Sequence, residues 1–314
     1  MFNINFSKYK YISLSLSIIF ILFGFVYTFL VHKGFAHSLD FNGGLRAVVT
    51  LEKSFTRNEI EKFFTEKQVE AVIILLDKDK NHYQIDLGLG SVPKIKEFYE
   101  LNQTAEEKQI KKNPAIIDQF IFMIKKGFNL SQDKILSADQ VGAVVGGELT
   151  STGITLLFST LAIMALYLSF RFQFKFAIAA SIALIHDLLF TLAIIGAFQI
   201  KPSVPIIAAL LTLFGYSIND TIVIFDRIRE NSNTKIPVPI SQLVNVSINQ
   251  TLGRTINTSL STLISIIALI IGGAAELYDF AIVLTAGIIV GTYSSIFIAA
   301  PIVEMYDNYI LKKA

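Results

Sequence analysis

Apolar residues gather into six long runs along the chain, at residues 11–31, 153–170, 176–198, 204–225, 255–274 and 280–303. Each is near the length of about 20 residues that a helix needs to cross the hydrocarbon of a bilayer. The stretch between the first two runs, 32–152, has a different texture. Residues 45–51 (LRAVVTL), 69–76 (VEAVIILL) and 82–89 (HYQIDLGL) are β-branched and partly alternating, as strands are. Residues 56–67 open with the capping pair Thr56 and Glu59 and carry Ile60, Phe63 and Phe64 on one face, which predicts a helix. A second helix over 115–126, closed by Gly127, and a last strand within 131–141 complete a β-α-β-β-α-β order. That order suggests a ferredoxin-like sandwich. The pattern therefore predicts a polytopic α-helical membrane protein, with six transmembrane helices plus one α+β (ferredoxin-like) extracytoplasmic domain between helices 1 and 2. Its segments are a cytoplasmic N-terminus with the first helix (1–31), the α+β domain (32–152), five helices within 153–305, and a tail (306–314).

Charge placement sets the orientation. Lys8, Lys10, Arg171, Lys175, Arg227, Arg229, Lys235, Arg254, Lys312 and Lys313 flank the helices on one side, and the short loops opposite hold only Lys201. Short loops rich in Lys and Arg stay in the cytoplasm, which places both termini there and residues 32–152 outside. The first run is longer than a signal-peptide core and no small-residue cleavage site follows it, so it reads as a retained helix. Composition agrees: 53% of the 314 residues are hydrophobic. A net charge of +2 provides no global field for nucleic acid, and the absence of cysteine excludes disulfides and thiolate metal sites.

Within this apolar background a few polar residues stand out. Asp220 lies inside the fourth run, roughly two turns before the cluster Asp226, Arg227, Arg229 and Glu230 that marks the end of the hydrocarbon. An ionised carboxylate there costs about 2.5–3.5 kcal/mol on insertion scales, so it should be protonated, paired or wetted. In the next helix Thr251, Thr255, Thr258, Thr262 and Ser265 make one polar stripe, bordered by Arg254. Antiparallel helices would bring Arg254 to the depth of Asp220, and an Asp–Arg pair is the expected contact. A purely structural reading also stands: a buried pair, with hydroxyls bonding across helices. His186 and Asp187 lie near the bilayer midplane of the third run. They serve either a proton path or local bonding, His186 to a carbonyl and Asp187 to a helix hydroxyl. With four histidines in all and none at i, i+4 spacing, no zinc site is expected. Two glycine-bearing joints, LDFNGGL at 39–45 and VGAVVGGEL at 141–149, flank the α+β domain; neither is a phosphate-binding loop. Ile240, Leu243, Val244, Val246 and Ile248 have the spacing of a short amphipathic helix on the cytoplasmic face. No nucleotide-binding or Ser-His-Asp pattern points to an enzyme.

Those two joints, together with RFQFKFAIAASIALIHD at 171–187, GYSINDTIVIFDRIREN at 215–231 and INQTLGRTINTSLSTL at 248–263, resemble the SecF family of the SecD–SecF protein-export complex over essentially the whole chain. One departure is Ala143, where the family usually has proline. The resemblance implies a subunit that works with SecD in the bacterial inner membrane, alongside the SecYEG channel and YajC, on a translocating polypeptide. It implies the proton-motive force as energy source, with no bound cofactor. Asp220 is then the proton-linked carboxylate, Arg254 its cationic partner, Thr255 and Thr258 nearby hydroxyls, and Gly43, Gly44, Gly146 and Gly147 hinges. The alternatives are half of a proton-driven exporter for lipid or small molecules, and a structural scaffold for SecD.

Overall fold

The computed structural model describes residues 4–36, 38–51, 55–77, 80–103, 114–233, 238–272 and 277–313. It contains two compact units: Met1–Ala36 with Gly153–Gly273 and Leu277–Ala314, and His37–Thr152 with Ala274–Glu276. After α1 (Lys10–Val31) the chain builds the second unit from β1 (Gly44–Thr50), α2 (Arg57–Glu66), β2 (Ala71–Asp77), β3 (His82–Gly88), α3 (Val92–Asn102), α4 (Ile116–Phe128) and β4 (Ile135–Val141). The four strands form one antiparallel sheet in the order β2-β3-β1-β4. Alternation selects the buried face: Leu45, Ala47 and Val49 of β1 and Tyr83, Ile85 and Leu87 of β3 meet Ile60 and Phe64 of α2, Ile95 of α3 and Phe120, Met123 and Ile124 of α4.

The start of α2 follows its sequence signal, with the Glu59 carboxylate accepting from the Thr56 backbone N–H at 2.7 Å. The end of α4 does not. The helix runs through Gly127 to Phe128 and is capped by Asn129 in the left-handed conformation (φ 51°). Gly127 is needed for packing, because a Cβ there would lie 2.3 Å from the Phe63 ring.

Six helices, among the described residues, are long and apolar enough to span a membrane. They are α1, α5 (Ala143–Arg171), α6 (Phe174–Ala197), α7 (Val204–Ser232), α8 (Ile240–Ile271), and a sixth made of α9 (Tyr278–Ser294), a π-helical turn Ser295–Ala299 and α10 (Ala300–Lys313). Small residues let backbones approach. Gly24 of α1 faces Ala193 of α6 so closely that a Cβ would sit 2.7 Å from the alanine's own, and Gly291 of α9 lies against Ser217 of α7.

The short cytoplasmic helix expected over 240–248 is instead the first part of α8, continuous with the spanning segment. The reason is burial. Leu243, Val244 and Ile248 join Phe225 and Ile228 in the same apolar core, so this stretch packs on protein and not on a membrane surface. Its polar edge is used as well: Asn245 accepts from the Phe6 backbone N–H, and Asn249 accepts from the N–H and donates to the carbonyl of Ile4.

Candidate functional site

Asp220 is 3% exposed, on the face of α7 that also buries Ser217 and Thr221. Its nearest polar partners are hydroxyls of α8: Thr258 donates to one carboxylate oxygen and Ser259 to the other, both at 3.5 Å. These contacts are long for hydrogen bonds to a charged acceptor. The expected ion pair is not formed. Arg254 is exposed, one turn before Thr258 on α8, and among the described residues no cation lies within 4 Å of Asp220. The cause is local geometry, since α8 turns its hydroxyls inward at this level and the guanidinium stays on its outer surface. Thr255, one turn before Ser259 on α8, is buried with an unpartnered hydroxyl. The other stripe hydroxyls bond mainly within their own helix, Thr262 to the Thr258 carbonyl and Ser265 to that of Ser261.

Sequence spacing did not single out Ser259, which bonds Thr292 of α9 at 2.7 Å and so extends the Asp220 site to a third helix. It lies four residues beyond Thr255, and that spacing was its one sequence signal.

His186 and Asp187 are both buried on α6. Although adjacent residues on a helix diverge, the side chains meet, with Nδ1 3.0 Å from Oδ1. The other carboxylate oxygen of Asp187 accepts from Ser217 of α7 and from Ser294 of α9, the latter at 2.8 Å. Ser217 is three residues before Asp220, so the two carboxylates flank one stretch of α7. Serines blend into an apolar helix, and nothing in the sequence marks 217 and 294. Among the described residues no three His, Cys, Asp or Glu groups converge as a metal site would require.

At the glycine joints, Gly43 takes φ 75° with an extended ψ, a conformation open chiefly to glycine. A Cβ on Gly44 would meet the Leu87 carbonyl at 2.3 Å, and one on Gly146 the Phe41 carbonyl at 2.4 Å. The two joints therefore touch. Gly147 has open space around it.

The sequence profile of the family described as protein export membrane protein SecD/SecF, C-terminal, matches residues 123–309. The protein translocase subunit SecF of Borreliella burgdorferi is 33% identical over 302 residues, covering 95% of this chain and 96% of its own length. SecF of Petrotoga mobilis is 34% identical over 309 residues, covering 96% and 95%. The crystal structure of SecDF from Thermus thermophilus, a translocon-associated membrane protein, is similar with a TM-score of 0.76 at 31% identity; it covers 98% of this chain, which spans 39% of that longer one.

Proposed function

The chain belongs to the SecD/SecF family of protein-export membrane proteins, and on that footing we propose that it couples the proton-motive force to polypeptide export through Asp220. It is a SecF-type accessory subunit of the Sec export machinery and a multi-pass membrane protein. Its partner is SecD, which the Thermus relative carries in the same polypeptide. The SecYEG channel and YajC complete the assembly we propose, in the bacterial inner membrane, with both termini cytoplasmic, a placement that the lysine and arginine distribution supports. No catalytic chemistry is assigned to the chain. The α+β unit is read as a ferredoxin-like extracytoplasmic domain, supported by its split strand order β2-β3-β1-β4.

One observation carries the proposal: a buried carboxylate with two long hydroxyl contacts and, among the described residues, no cation within 4 Å. In an apolar helix bundle such a group is stable with a proton bound, and losing that proton creates a charge that must find a partner. Arg254 is that partner, held one turn away on the outer surface of α8, and Thr255 and Thr258 supply hydroxyls between the two. Asp220 deprotonation would draw Arg254 inward and change the packing of α7 on α8. The glycines at 43, 44, 146 and 147 would pass this shift to the α+β unit. One charge crossing 100 mV is worth about 2.3 kcal/mol, enough to shift a two-state equilibrium roughly fifty-fold. Proton flux tests the idea: vesicles holding this chain with SecD should acidify under an imposed gradient during export, and Asp220→Asn should stop that flux. Undiminished flux in the variant would refute it.

A further inference from the structure

Asp187 is fully buried, and the donors that reach it are two serine hydroxyls and the Nδ1 of His186. Among the described residues no lysine or arginine bonds it. On the helices packed around it, Tyr216 and Asp220 of α7 bracket Ser217 and Tyr293 of α9 precedes Ser294, while Lys10 of α1 is paired with Glu304 of α10 and Lys175 of α6 with Asp307 of α10, each at 2.7 Å. A lone carboxylate in this setting would be an uncompensated charge, whereas a carboxylate beside an imidazolium is a neutral pair. The imidazole is arranged for that state. Its Nδ1 is committed to Asp187, and its Nε2 is buried with no partner, in a ring lodged against Phe190 (centroids 5.7 Å apart) and Tyr293 (6.3 Å). With Nδ1–H donating to the carboxylate, Nε2 presents a lone pair, the position on the imidazole where a proton can be added.

We infer that His186 and Asp187 form a second proton-holding pair, loaded at the Nε2 of His186 and tied to α7 through Ser217. This inference rests on the proposal that Asp220 carries protons, and it extends the route beyond α7 and α8. Contacts from both carboxylates reach α9, Asp220 through Ser259 to Thr292 and Asp187 to Ser294, although Thr292 and Ser294, two residues apart, do not face each other on that helix. The π-helical turn begins at Ser295, directly after the serine that grips Asp187. Such turns interrupt the regular helical register and often occur at functional positions. Loading or unloading the pair would change the charge that holds Ser217 and Ser294, and with it the junction of α6, α7 and α9.

The test is nitrogen NMR of the full-length protein, ring-¹⁵N-labelled at histidine and reconstituted with SecD in phosphatidylethanolamine–phosphatidylglycerol vesicles, between about pH 5 and pH 9. The chain has four histidines, and His186→Gln assigns the signal by its loss. The expected result is a His186 Nε2 that switches between bare and protonated forms in the native protein, still switches in Asp220→Asn, and stays bare in Asp187→Asn. A native signal that remains in one form throughout would overturn the inference, as would a switch unchanged by Asp187→Asn. The readout does not depend on export, so failure of the Asp220 proposal and failure of this one remain distinguishable.

Discussion

In the proposed mechanism Asp220 and Arg254 divide one task between a buried acid and an exposed cation, and this asymmetry fixes what each substitution should do. Arg254 makes no buried contact, so Arg254→Gln should leave the thermal midpoint of the chain within the change expected of a surface substitution, about 0.5 kcal/mol, while proton-driven export falls severely. A large loss of thermal stability in that variant would mean the guanidinium is structural. In the α+β unit, Asp86 lies beneath Arg46 and Gln84, taking bonds of 3.0 and 3.2 Å from the guanidinium and 3.1 and 3.0 Å from the amide. Asp86→Ala should cost about 1–3 kcal/mol in denaturant unfolding of that unit, because both donors lose their acceptor. At this scale the sequence was readable where a charge broke an apolar run, which is how Asp220, His186 and Asp187 could be picked out. It was silent about Ser217 and Ser294 and gave Ser259 only its spacing from Thr255, since a hydroxyl satisfied by its own helix and one aimed across an interface look alike in sequence.

Elements were legible where their signal was local. The capping pair that opens α2 also predicts a pH dependence: the Thr56 backbone N–H, and then its hydroxyl, hold the Glu59 carboxyl below its usual value of about 4.3. A depressed folded value stabilises the helix start above about pH 4.3, and that contribution is lost as the pH falls through the folded value. Thr56→Ala should move the Glu59 titration part of the way back up, which carboxyl ¹³C NMR would detect; an unmoved titration would remove the hydroxyl from the account. Signals that depend on tertiary partners were misleading. Gly127 looked like a cap and is a packing residue, and the amphipathic start of α8 looked like a surface helix because its burial surface belongs to α7 and to the N-terminal segment. In the first turns of α5, Gly146→Ala places a methyl against the Phe41 carbonyl, whereas Gly147→Ala meets open space. The first should lower stability by about 1–3 kcal/mol and the second by well under 1, read from thermal unfolding of the two variants. Equal effects would contradict the close contact of the two glycine joints.

For the molecule as a whole, six helices and an α+β unit could be read from hydropathy and periodicity because both follow from backbone chemistry in lipid and water. The buried polar junction could not, since it needs the relative rotation of α6, α7, α8 and α9. Three of the helices, α1, α5 and α8, bury few of their residues within the chain, which accords with a subunit completed by a partner. The account stands or falls on whether Asp220 is where the gradient acts. The most direct measurement is polypeptide release from vesicles containing this chain and SecD, with and without an imposed proton gradient, for the native protein and for Asp220→Asn at matched assembly. The account predicts that the gradient accelerates release by the native protein and has no effect on the variant. An equal acceleration in both would place the coupling in the partner and leave this chain as its scaffold.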